Sequence, residues 1–140
     1  MVEGGSGRAQ LRGVELERLP DGRCVIRVKL GRSLGTKLQQ TYIGKSEGDC
    51  SPSGEMRLAA EATLQALQRA YAAADDMFTF MDIKTVESFD RLAVIVAISA
   101  RHEGEAWRLV GFCEVSEDLK TGVAKAVCSS LNRFLILAFP

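Results

Sequence analysis

GEMRLAAEATLQALQRA, residues 54–70, and DLKTGVAKAVCSSLNRF, residues 118–134, carry the reading that decides the fold. Placed at one constant offset of 64, they set Ala60, Ala62 and Leu67 opposite Ala124, Ala126 and Leu131. Each shows an apolar stripe at helical spacing. In the first it is Met56, Ala60, Thr63, Leu64, Leu67, Ala70 and Tyr71; in the second it is Leu119, Val123, Ala126, Val127, Leu131 and Phe134. The predicted helices run from Gly54 to Ala74 and from Ser116 to about Leu137.

Working outward, three strand-like runs precede each helix. In the first half they are Gly13 to Leu19, Cys24 to Leu30 after a Pro20-Asp21-Gly22 turn, and Leu34 to Gly44. In the second they are Phe78 to Ser88, Leu92 to Ala100 and Glu105 to Val115. The same order twice predicts an α+β two-layer sandwich. It is a tandem βββα-βββα pseudo-twofold repeat with a mainly antiparallel six-stranded surface and both helices on one face. Residues 1–11 read as a disordered tail of Gly and small polar residues, and 12–140 as one domain with halves of about 12–75 and 76–140.

Eighteen basic and eighteen acidic residues cancel, so no global positive field collects phosphate backbones or anionic lipid, and nucleic acid is not an expected partner. No window reaches the roughly 18 consecutive apolar residues of a membrane span. The N-terminus lacks the regions of a signal peptide, which makes the cytoplasm the default location.

Chemistry-bearing residues are scattered. Cys24, Cys50, Cys113 and Cys128 stand singly, without the paired spacing of a zinc or redox motif. Three of them fall in strand or helix patterns where a thiol packs as a small apolar group, while Cys50 lies in the polar segment Lys45 to Gly54. His102, the single histidine, sits in the hairpin sequence Ala100-Arg-His-Glu-Gly104, with no second ligand to make a metal site. No nucleophile elbow or phosphate-binding glycine loop is present. The expectation is therefore no catalytic residue, no metal and no cofactor.

Lys45 to Gly54 reads as a long loop feeding a helix N-terminus, a place where backbone N–H groups and the helix dipole favour a carboxylate. Ser116 reads as the cap of the second helix, with Glu117 and Asp118 in its first turn. The strands add a second message. Leu92 to Ile98 is apolar on both faces, Trp107 to Glu114 carries bulky apolar groups on both sides, and the chain ends Leu135-Ile-Leu-Ala-Phe-Pro140. Apolar surface of that kind predicts a homodimer through the sheet.

With these residues in view, the chain resembles the C-terminal allosteric, or regulatory, domain of 2-isopropylmalate synthase and its relatives. The second half of that family reads Gly-x-Gly-x-Ser-x-Asp, then Ala-x-Ala, then Leu-Asn. Here Gly111 is followed by Ser116-Glu-Asp118, then Ala124-Lys-Ala126 and Leu131-Asn132, with one extra residue between Gly111 and Ser116. The likeness covers about residues 12 to 134. Cys113 stands where the family has its second glycine, and the first helix opens Gly54-Glu-Met-Arg-Leu58 in place of Gly-Pro-Val-Asp-Ala. The resemblance implies a non-catalytic, stand-alone regulatory and dimerisation module that senses a small carboxylate metabolite. The candidate ligand residues are Gly44, Ser53, Gly54, Gly111, Ser116 and Asp118. The alternative is a protein-interaction module that kept the fold and lost the pocket.

Overall fold

The structure, a computed structural model, describes residues 7–33 and 39–139. Its elements follow the duplicated order: β1 (Gln10–Arg18), β2 (Arg23–Ser33), β3 (Gln39–Asp49), α1 (Pro52–Ala70), β4 (Phe78–Ser88), β5 (Arg91–His102), β6 (Glu105–Glu114) and α2 (Leu119–Ala138). The fold is α+β, a βββα-βββα repeat. The six strands hydrogen-bond as two antiparallel three-stranded sheets, β1-β2-β3 and β4-β5-β6, instead of one continuous surface.

Several sequence boundaries move. The third strand was expected to end at Gly44; it runs on to Asp49, so Lys45 to Asp49 is an edge strand and the link to α1 shrinks to Cys50 and Ser51. Its expected beginning, 34–38, lies outside the described residues, as do tail residues 1–6. Gln10 and Leu11, read as tail, belong to β1, and Ala9 is buried with its N–H donating to the Tyr71 hydroxyl at 3.1 Å.

The register shows how deep the duplication goes. In the first sheet Val28 pairs with Val14 and Gly44; in the second Val96 pairs with Ile83 and Gly111. Each first strand also carries a bulge at the same place. Leu11 pairs with Leu30 and Gly13 with Lys29, leaving Arg12 over; Phe80 pairs with Ile98 and Asp82 with Ala97, leaving Met81 over. An extra residue bends and twists its strand, so both sheets curl alike around their helices.

The core lies between each sheet and its helix. Ile26, Val28 and Leu30 from β2 and Val94, Val96 and Ile98 from β5 point inward with no exposed surface. Ala59, Ala60, Ala62 and Ala66 of α1 face them, as do Val123, Ala124, Ala126 and Val127 of α2. Each helix also reaches the first strand of the other half, α1 touching β4 and α2 touching β1.

α1 starts because Ser51 caps it, accepting from the Gly54 N–H at 3.0 Å, with Pro52 next, where its missing N–H costs nothing. It stops at Tyr71 and Ala72, the latter in the left-handed region at φ 49°. Arg32 supports that end: its guanidinium donates to the Ala70 carbonyl at 2.8 Å and lies 3.8 Å over the Tyr71 ring. A cation there complements the negative end of the helix dipole. The Tyr71 ring in turn meets Phe139 at the end of α2, centroids 5.4 Å apart.

Candidate functional site

Four of the six residues expected to hold a ligand, Gly44, Gly54, Gly111 and Asp118, are engaged within the protein, and Ser53 and Ser116 are exposed. Gly44 and Gly111 face the helices: a Cβ on Gly44 would land on the Ala62 carbonyl oxygen, and one on Gly111 on the Ala126 carbonyl oxygen. Only a residue without a side chain lets strand and helix backbones approach this closely. Both glycines are therefore packing devices in equivalent positions. Gly54 lies in the first turn of α1 and gives its N–H to Ser51, while Ser53 is exposed with its hydroxyl 3.5 Å from that of Ser51.

Ser116 is not the cap of α2; it is exposed, two residues before Asp118, which takes that role. The Asp118 carboxylate accepts from the Thr121 N–H and from the Lys120 ammonium, both at 2.9 Å. The Thr121 hydrogen bond, with Lys120 behind it, holds the carboxyl down at about 2. Asp118 is thus a structural anion already satisfied within its own turn. Glu117 precedes the helix and pairs with Lys125 at 3.3 Å. Among the described residues no hydrogen bond or ion pair joins the Ser51 turn to the Asp118 turn. The contact that does link the helix termini is at their C-terminal ends, Tyr71 on Phe139.

The remaining polar chemistry is also accounted for locally. His102 ends β5, half-buried, with its ring edge-on to Phe134 at 6.0 Å. Burial first, and then the neighbouring Cys50 sulfur, push the Cys24 thiol up to about 11; burial pushes Cys128 up to about 12. Neither is a thiolate at neutral pH. Cys50 accepts a hydrogen bond from the Arg18 guanidinium at 3.3 Å. Among the described residues no three His, Cys, Asp or Glu side chains gather closely enough for a metal ion, and no helix is long and apolar enough to cross a membrane.

What stands out lies on the faces turned away from the helices. On the first sheet the register sets out three rows: Gly13, Lys29 and Ile43; Glu15, Arg27 and Lys45; Glu17, Val25 and Glu47. Charges of both signs interleave, with Arg27 on Glu17 at 2.9 Å and Arg23 on Glu47 at 3.4 Å. The equivalent rows of the second sheet read Asp82, Ala97 and Val110; Lys84, Ile95 and Phe112; Val86, Ala93 and Glu114. Arg27 has become Ile95, Lys29 has become Ala97 and Lys45 has become Phe112. Val110 is 62% exposed and Phe112 59%. An adjoining apolar groove of about 230 Å³ runs on the helix side of β6, lined by Trp107, Leu109, Phe134 and Leu137 among others.

The sequence alone points to Trp107, Val110 and Phe112, as bulky apolar groups on both sides of one strand. That pattern misses Phe89. That residue is 95% exposed, at φ 55° in the two-residue turn between β4 and β5, and its place in the run Ser88-Phe-Asp-Arg91 was the available signal. Compared with known proteins, the chain matches no family model and no curated protein.

Proposed function

We propose that this chain is a non-catalytic regulatory and assembly module, similar to the allosteric domain of 2-isopropylmalate synthase, whose working surface is the outer face of its second sheet. The single observation behind this reading is the replacement of the charged Arg27, Lys29 and Lys45 by Ile95, Ala97 and Phe112 at equivalent positions, which joins Val110, the counterpart of the isolated Ile43, into one apolar patch. A solvent-facing strand normally carries polar residues there, and a cluster of exposed bulky apolar groups marks a contact surface. Of the two roles such a module has, protein contact is favoured over metabolite sensing. Gly44, Gly111 and Asp118 spend their chemistry on packing and capping, which leaves the exposed Ser53 and Ser116 as the side-chain donors of the expected carboxylate site.

The test uses matched positions. Val110→Asp and Ile43→Asp place the same charge at equivalent points of the two sheets. Light scattering on purified protein at tens of micromolar should give a dimer for the parent chain and for Ile43→Asp, and a monomer for Val110→Asp. A monomeric parent, or equal disruption by both variants, removes the proposal.

Small-carboxylate binding is the second reading, and one feature favours it. A recess of about 190 Å³ on the first sheet is lined by Arg12, Arg27 and Lys29 together with one acid, Glu15. Thermal shift against amino acids and 2-oxo acids decides it: a flat panel ends this reading, whereas a shift abolished by Lys29→Ala moves the sensing role to that recess.

A further inference from the structure

The outer strands of the two sheets differ in one more way, and it specifies the partner. An edge strand presents unpaired N–H and C=O groups, and proteins normally blunt it with lysine or cover it. β3 does both. Lys45 stands in its middle, the Lys45 N–H is taken by the Gln65 side chain at 2.7 Å, and the Ile43 carbonyl is taken by Arg69. β6 does neither. It contains no lysine and no proline. The groups equivalent to Lys45 N–H and Ile43 C=O are Phe112 N–H and Val110 C=O. Among the described residues no side chain bonds to either. The helix residues equivalent to Gln65 and Arg69 are Ser129 and Arg133; Arg133 lines the groove beside Trp107 and Leu109, and neither hydrogen-bonds to β6.

The side chains on that edge are self-complementary. Along the outer face of β6 they run Arg108, Val110, Phe112 and Glu114, apolar on either side of Gly111 and opposite in charge at the ends, with Glu114 also paired to Arg91 of its own sheet at 3.1 Å. Arg108 has no ion-pair or hydrogen-bond partner among the described residues. We infer that β6 pairs antiparallel with β6 of a second copy about a twofold axis at Gly111, joining two three-stranded sheets into one of six. This rests on the reading of the second sheet as the working face and names its partner.

In that register Arg108 meets Glu114 of the other copy, and Val110 meets Phe112, twice over. Residues 110 and 112 turn their backbone groups outward, so each Val110–Phe112 pair exchanges two N–H···O bonds. A twofold contact of this kind is closed, which stops at two copies instead of growing into a fibre. On the helix side the same register sets Leu109 against Cys113 of the second copy. Applied to β3 about Gly44, the same operation sets Ile43 against Lys45 and Thr41 against Glu47, pairs with neither apolar nor charge complementarity.

Two measurements test the register. Arg108→Glu and Glu114→Arg each set like charges opposite one another and should raise the dimer dissociation constant at least tenfold. The double variant Arg108→Glu/Glu114→Arg should recover most of the loss. Independently, a mixture of Val110→Cys and Phe112→Cys proteins should form a disulfide-linked dimer under mild oxidation, while either protein alone stays largely unlinked. If the parent chain is a dimer but the charge variants behave like it and the mixture fails to cross-link, the register is wrong while the wider reading stands. If the parent chain is a monomer, both fall.

Discussion

The inner faces of the two halves are close to interchangeable, and their outer faces differ at most positions. Inside, Val28 and Val96, Gly44 and Gly111, Leu67 and Leu131 do the same work against the same kind of helix. Outside, Arg27, Lys29 and Lys45 answer to Ile95, Ala97 and Phe112. Burying a helix on a sheet constrains volume and leaves little freedom to vary. The solvent-facing side constrains only solubility, so that is where one copy of a repeat is free to acquire a partner. A difference confined to one face of one copy therefore marks function more cleanly than any residue type taken alone.

The largest effects should fall where the halves are most alike. Gly44→Ala and Gly111→Ala each push a methyl group into a helix carbonyl with no flexible atom to yield, and each should cost about 3 kcal/mol or more in urea unfolding. Similar losses sharpen the equivalence. A harmless Gly111→Ala breaks it, because α2 would then not be seated as α1 is.

Next come the caps, alike in position and unlike in chemistry. Removing either, by Ser51→Ala or Asp118→Ala, should cost about 1 kcal/mol. Only in the second is the capping group itself ionisable; at the first, the neighbouring Asp49 carboxyl is held below its ordinary value by hydrogen bonds from Ser51. The Asp118 carboxyl, held down at about 2 from an ordinary 3.8, contributes stability that is complete above about pH 4 and is lost as the pH falls toward 2. With its side chain half exposed, that contribution is on the order of 1 kcal/mol after screening. Asp118→Asn keeps the cap and should shrink the acid limb of the stability profile. An acid limb identical in the parent chain and Asp118→Asn separates the cap from the pH response.

The smallest effect concerns the first hairpin of each half. The first turn places Gly22 at φ 84°; the second places Phe89 at φ 55°, where a bulky side chain is strained, and leaves its ring in water. Phe89→Gly should raise stability by about 0.5–1 kcal/mol in thermal unfolding. If it destabilises instead, the Phe89 ring is held by a contact, and the turn belongs to the docking face.

The fold was legible because helical periodicity survives any change of side chain that keeps its apolar stripe: Ala62 and Ala126, Leu67 and Leu131 align without help. The third strand of the first half was not. Lys45-Ser-Glu-Gly-Asp49 has the composition of a loop, yet Gly44, Ser46 and Gly48 turn inward where α1 comes too close for anything larger, and Lys45 and Glu47 face water. An alternation of small and charged residues reads as polar throughout, and only the neighbouring helix gives it meaning. The packing role of the glycines was hidden for the same reason. Gly44 and Gly111 resemble ligand-binding positions until the small faces of the helices, Ala62 with Ala66 and Ala126 with Ser130, are set opposite them.

Near the end of α1, Ala9 and Phe139 both close on Tyr71, one through the hydroxyl and the other through the ring. The first and last described segments of the chain therefore leave from one corner. A short linker between them, with a new opening in the turn between α1 and β4, would give a circular permutant in which the two halves exchange their order of synthesis while every strand keeps its neighbours.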